Sequence, residues 1–216
     1  MNSVKSLSVT VLASCAALVV LLLLDLPVAA AGAKLIASSA FVGVAIASGA
    51  LRSTFGKLLL TGLILSWCGD MFLIGFSRTA FLSGLVAFLL AHIAYVTAFI
   101  RLGYDRTWTL TVAVPITIIA IMVFTWLQPH IPAELDMPVR AYVAVISLMV
   151  IFAFGTRGAG GPVLILVGAV LFFLSDLSVA ALRLVQTDFP TYVWGLPFYY
   201  GGQLCLALSV SQSRSH

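Results

Sequence analysis

An all-α, polytopic membrane bundle of eight transmembrane helices is the fold class this sequence predicts, on three observations. Of its 216 residues, 62% are hydrophobic and only 8% charged, whereas a soluble domain carries about 25% charged residues. The apolar residues fall into runs of about 20, the length that crosses a bilayer as a helix. The breaks between runs are short, and none is a linker, so the chain reads as one integral membrane domain over 1–216.

The elements follow in order. Helix 1 is predicted over 6–25. Lys5 and the run "LSVTVLASCAALVVLLLLDLPVAAAGA" also suit a signal peptide with small residues near Ala31–Ala33, but the run is longer than a signal core and reads as a span. Helix 2, over 34–51, opens on Lys34 and is rich in Ala, Gly and Ser. Helix 3, over 57–76, follows "RSTFGK" and carries Asp70. Helix 4, over 79–101, follows "SRT" and places Tyr95 one turn from His92 on the same face. Helix 5, over 107–127, follows "RLGYDRT", with Pro115 toward one end. The break "QPHIPAELDMPVR" leads to helix 6, over 139–156, which opens on Arg140 and Tyr142. Helix 7, over 161–183, follows "GTRGAGGP" and carries Asp176. Helix 8, over 193–211, follows "RLVQTDFPTY" and sets Tyr199, Tyr200 and Gln203 on one face.

Loop charges orient the bundle. Lys5, Arg52, Lys57, Arg101, Arg106, Arg157 and Arg214 fall on one side, and Lys34, Arg78, Arg140 and Arg183 on the other. The larger group predicts both termini in the cytoplasm. A net charge of +4, with no run of four basic residues, excludes nucleic acid as the expected partner. The three cysteines, Cys15, Cys68 and Cys205, all lie in apolar runs and make no disulfide framework. An internal match at an offset of 106 residues aligns "TGLILSWCGD" with "VGAVLFFLSD", pairing Gly62 with Gly168 and Asp70 with Asp176, and also pairs Lys34 with Arg140. It suggests a parallel repeat of four helices plus four.

A carboxylate deep in a membrane helix costs on the order of 3 kcal/mol on insertion scales, so Asp70 and Asp176 are functional candidates. The topology places both in one half of the bilayer with Lys34 and Arg140, Asp70 about 10 Å from the outer end of its helix by helical rise. His92, Tyr95, Tyr142, Tyr199, Tyr200 and Gln203 are the further polar candidates. Each has a plainer alternative. Lys34 and Arg140 suit interfacial anchors, Arg78 and Arg183 loop charges, His92 and the tyrosines packing, and the two acids an inter-helix ion pair. Ser66 and Ser175 suit bonds to the preceding turn. The sequence contains neither a G-x-S-x-G elbow nor a phosphate loop. Of three histidines only His92 lies in a run, so neither a metal nor another cofactor is expected. Acid–base chemistry by two carboxyls in different surroundings remains, the division of labour glycosidases use around an oxocarbenium ion.

Five blocks, "LSWCGDMFLIG", "FLLAHIAYVTAF", "AYVAVISLMVIFAF", "GAVLFFLSDLSVAALRLV" and "VWGLPFYYGGQLCLALS", occur in that order. Together they resemble the YhhN family of lysoplasmalogenase-like membrane proteins, over helices 3, 4, 6, 7 and 8. Lys34 also fits that pattern, whereas Ala181 and Leu182 stand where the family would carry an Asn beside the Arg. The resemblance implies eight spans and hydrolysis of the vinyl ether bond of a lysoplasmalogen to a fatty aldehyde and a glycerophospho-head group. It implies a lysophospholipid substrate among membrane lipids, and the inner membrane as the address if the host is bacterial. Asp70 and Asp176 would then be catalytic, with Lys34 and Arg140 holding the phosphate and His92, Tyr95, Tyr199 and Gln203 positioning the ether or water. The alternatives are a transporter or lipid-binding protein using the same buried acids, and a structural subunit.

Overall fold

The computed structural model describes residues 2–75 and 77–213. Phe76, predicted to close helix 3, and the terminal Arg214 and His216 lie outside them. Among the described residues the long helices are α1 (Asn2–Leu23), α2 (Pro27–Ala47), α3 (Thr54–Phe72), α4 (Arg78–Leu102), α5 (Arg106–Leu127), α6 (Asp136–Gly158), α7 (Val163–Ala180) and α8 (Tyr192–Gln212), with no strand. All but α8 are long and apolar enough to cross a membrane. α8 has 21 residues and packs on α1, α2, α3 and α7, at the centre of the bundle. Side chains such as Val114, Ile118, Ile121 and Met122 on α5 are exposed. In a bilayer such a surface faces lipid, so the chain is an integral, multi-pass membrane protein.

Consecutive helices pair as hairpins, α1 with α2, α3 with α4, α5 with α6 and α7 with α8. α2–α3, α6–α7, α4–α6 and α2–α8 contacts close the bundle, while α5 stays outside on α6. Small residues set the closest approaches. A Cβ on Gly168 would sit 2.8 Å from Leu206 Cγ and 2.9 Å from the Gly202 carbonyl, so only glycine lets α7 and α8 meet there. On α3, a Cβ on Gly69 would lie 2.6 Å from the Phe88 ring, which holds α4 against the segment that carries Asp70.

Three boundaries differ from the sequence expectation in ways that move the site. Helix 2 begins at Pro27, seven residues before Lys34, because proline at the first helical position loses no hydrogen bond. The chain reverses over Leu24–Leu26 through a left-handed Asp25, φ 54°. Lys34 therefore stands nearly two turns inside the helix instead of opening it. Helix 3 stops at Phe72, where Leu73 closes it and the Gly75 amide bonds the Phe72 carbonyl at 3.0 Å. Ser77 then caps α4 by accepting from the Ala80 amide at 3.1 Å. Asp70 thus lies in the last turn of α3, not 10 Å from its end. Helix 7 leaves α-geometry at Ala180 and runs on as a π-helical turn over Ala181–Val185, ended by a left-handed Gln186.

Candidate active site

The alternation of helix direction brings one set of termini together. α1, α3, α5 and α7 end, and α2, α4, α6 and α8 begin, around a cavity of about 800 Å³. Its wall is mainly apolar, including Leu18, Phe81, Leu85, Val139 and Leu196. Asp70, Asp176, Lys34, Tyr142, Tyr199 and Arg183 line it with polar groups.

Asp70 is 2% exposed, and its oxygens are occupied. The Lys34 ammonium lies 3.6 Å from Oδ1. Ser38 and Tyr199 each donate to Oδ2 at 2.7 Å. Lys34 and Ser38 are one turn apart on α2, so a single helix face supplies two of the three partners. Hydrogen bonds to a charged group contribute about 1.5–3 kcal/mol each, enough for the two hydroxyl donors, with the Lys34 charge beside them, to offset an insertion cost of about 3 kcal/mol. Tyr200 lies behind, its hydroxyl 3.1 Å from Ser38 Oγ.

Asp176 has different surroundings. Tyr142 donates to its Oδ2 at 2.7 Å, and His92 Nε2 lies 3.8 Å from the same oxygen. Oδ1 takes no bond from the described residues, and the side chain is 18% exposed, against 3% for Asp70. His92 is fully buried, with Nδ1 2.6 Å from the Phe88 carbonyl. A carbonyl can only accept, so Nδ1 carries a proton, and Nε2 is the ring atom that faces Asp176. Its ring packs on Phe172 at 4.6 Å and on Tyr142 at 5.2 Å. Phe172 in turn contacts Tyr199 at 5.3 Å, so one aromatic cluster fixes the partners of both acids.

The predicted residues thus fall in three groups. Asp70, Asp176, Lys34, Tyr142 and Tyr199 line the cavity. His92, Tyr95, Tyr200 and Gln203 are buried behind it, where Tyr95 donates to Gln203 Oε1 at 2.9 Å and meets Ser66 at 3.2 Å. Arg140 does not join them. It turns outward, pairs with Asp136 one turn earlier at 2.7 Å and stacks over Phe124. Once helix 6 begins at Asp136, a carboxylate four residues away on the exposed face is its nearest partner. Two residues of the site were missed, Ser38 buried against Asp70 and Arg183 in the cavity wall. Ser38 carries the signal of sitting four residues from Lys34. Arg183 carries the signal of standing seven residues, two turns, after Asp176, but at the end of its run it reads as a loop charge.

Comparison with known proteins places the chain among relatives. The YhhN family model matches residues 12–210. The chain is 31% identical over 170 residues to a protein named lysoplasmalogenase TMEM86A from Bos taurus, covering 72% of this chain and 66% of that one. It is 30% identical over 157 residues to one named lysoplasmalogenase from Mycobacterium tuberculosis, covering 69% and 59%. It is 30% identical over 159 residues to lysoplasmalogenase TMEM86B from Sus scrofa, covering 74% and 66%. The matches thus span 59–66% of these relatives' own lengths, less than two thirds. No solved structure matches.

Proposed function

The chain belongs to the YhhN family, and from that premise we propose that it hydrolyses the vinyl ether bond of a lysoplasmalogen or related lysolipid. The observation that carries this reading is the cavity, apolar enough for an alkenyl chain and holding two carboxylates with contrasting partners. The relatives named lysoplasmalogenase support it.

The chemistry needs one proton donor and one site for developing positive charge. Protonation of the outer vinyl carbon gives an oxocarbenium ion. Water adds to it, and the hemiacetal collapses to a fatty aldehyde and the glycerophospho-alcohol. Asp176 is the proton donor, because its Oδ1 is open to the cavity while Tyr142 holds Oδ2. The resulting carboxylate then takes a proton from the attacking water, which returns the acid. Asp70 is acceptor-only toward Lys34, Ser38 and Tyr199, and so is fixed as a negative group that stabilises the cation and orients water. Tyr95, paired with Gln203, packs on the same Phe172 ring that Tyr199 contacts. A transporter would need a path to both ends, whereas this cavity is built from helix termini at one end.

The test is aldehyde release from a lysoplasmalogen by purified, monodisperse protein. Asp176→Asn and Asp70→Asn should each lower kcat by about a hundredfold or more, the size of a lost general acid or electrostatic stabiliser. Normal turnover in Asp176→Asn would exclude it as the donor, and no turnover in the unmutated protein would exclude the reaction.

A further inference from the structure

Substrates of this class carry a phosphate, and the two cations first expected to hold it are engaged elsewhere. Lys34 is paired with Asp70, and Arg140 with Asp136. Arg78, at the same end of the bundle, is paired with Glu134. Arg183 is the fourth cation at that end. Among the described residues it has no carboxylate partner. One of its N–H groups donates to the Leu73 carbonyl at 3.3 Å, and the guanidinium carbon lies 5.9 Å from the centre of the Phe81 ring. A guanidinium has five N–H donors in a fixed fork, so most of its donor capacity is unspent. It is half-buried in the cavity wall, where an unpaired charge is costly unless an anion joins it.

Its position along the chain also suits such a ligand. Arg183 follows Asp176 by seven residues, about 10 Å of helical rise. Helical side chains lean toward the N-terminus, the direction in which Asp176 lies from Arg183. In a lysophospholipid, five bonds through glycerol separate the ether oxygen at the first carbon from phosphorus, about 6 Å at ordinary bond lengths. An ether near Asp176 therefore sets its phosphate within reach of Arg183. The π-turn over Ala181–Val185 ends α7 and carries Arg183 into the cavity wall.

We propose that Arg183 is the headgroup anchor of the cavity, binding the anionic phosphate of the lysolipid through its guanidinium fork. The proposal rests on the hydrolase reading for the identity of the lipid, but the binding of a phosphorylated single-chain amphiphile can be tested without any cleavage. A purely structural Arg183 would serve only to cap α3 at Leu73.

Two uncleavable ligands separate these roles, a 1-O-alkyl lysophospholipid and the matching 1-O-alkylglycerol without phosphate. Binding of each to the full chain in detergent is measured by tryptophan fluorescence. Arg183→Gln should weaken the phosphorylated ligand about tenfold or more and the alkylglycerol less than about twofold. Arg183→Lys should fall between, since it keeps the charge and loses the fork. Equal weakening of both ligands, or no change in either, overturns the phosphate site. Should Arg183→Gln not fold, the unmutated protein decides. Glycerophosphate should displace the lysophospholipid analogue and leave the alkylglycerol bound, and failure to compete overturns the proposal. If the binding results hold while no aldehyde is released from an alkenyl substrate, the hydrolase reading fails and the phosphate site stands. If aldehyde is released but Arg183→Gln keeps full headgroup discrimination, the phosphate site alone fails.

Discussion

Asp70 and Asp176 differ in what surrounds them more than in where they lie. Asp70 is enclosed by an ammonium and two hydroxyls, so removing one partner leaves a buried charge poorly compensated. Lys34→Met should therefore destabilise the protein by about 3–5 kcal/mol, the usual cost of breaking a buried pair from one side. Thermal unfolding in detergent measures it, and the double variant Lys34→Met with Asp70→Asn should regain more than half of the loss. Additive losses would mean that the two groups are not coupled. Asp176 depends instead on Tyr142, which holds one carboxyl oxygen and leaves the other free. Tyr142→Phe removes only that hydroxyl. It should cut kcat up to about tenfold with little change in KM, because the bond orients the reacting group and does not bind the lipid. A rise in KM at constant kcat would assign Tyr142 to substrate binding. Both acids were legible in the sequence because an unexplained carboxylate in an apolar run is rare. Their partners were only partly so. Tyr142 stood out as a polar group at a helix start and Tyr199 as one of three polar groups on a helix face, whereas Ser38 is a common residue in a small-residue helix and gained its meaning only once Lys34 was found on the same face.

At the scale of elements, periodicity found every long helix but not the ends that shape the cavity. Pro27 was read as part of a break, yet it starts α2, so a segment expected to be a loop became the helical wall beside Asp70. The apolar run after Phe72 continued the pattern of a helix, but Gly75 and the Ser77 cap turned it into the link to α4. Apolar patterning reports where a chain can be buried. Helix ends are decided by capping and by single left-handed residues such as Asp25 and Gln186, whose types do not announce them. The α7–α8 contact gives a prediction at this scale. A Cβ at Gly202 would meet the Gly168 carbonyl at 2.9 Å, while at the neighbouring Gly201 it would find only Leu171 Cδ1 at 3.7 Å. Gly202→Ala should cost about 1–3 kcal/mol by overpacking. Gly201→Ala should be neutral or slightly stabilising, since alanine is favoured over glycine in a helix by about 1 kcal/mol. Paired melting curves compare them, and equal destabilisation would show that the backbone contact does not set the helix spacing.

For the whole molecule, the neighbour relations α1–α2, α2–α3, α3–α4 and α2–α8 have counterparts four helices later in α5–α6, α6–α7, α7–α8 and α6–α4. The α1–α8 and α3–α8 contacts have no counterparts of similar extent among the described residues, so the four-plus-four repeat suggested by the 106-residue offset stays a proposal. Of the two residues that the offset aligns, Lys34 pairs with Asp70, whereas Arg140 pairs with Asp136 at the surface. The halves thus present two acids with unlike partners to one cavity, the asymmetry that acid–base chemistry needs. The same alternation of helices puts the cavity at the end bearing Lys34, Arg78, Arg140 and Arg183. The opposite end carries Lys5, Arg52, Lys57, Arg101, Arg106 and Arg157 among the described residues. Because basic loops are retained in the cytoplasm, the cavity end should face away from it, and the head group should be released on that side. Single cysteines placed at Glu134, in the α5–α6 connection, and at Gly160, in the α6–α7 connection, test this in intact cells after Cys15, Cys68 and Cys205 are replaced by serine or alanine. A membrane-impermeant maleimide should label position 134 without lysis and position 160 only after it. The reverse pattern would turn the cavity toward the cytoplasm, and the substrate would then have to come from the inner leaflet.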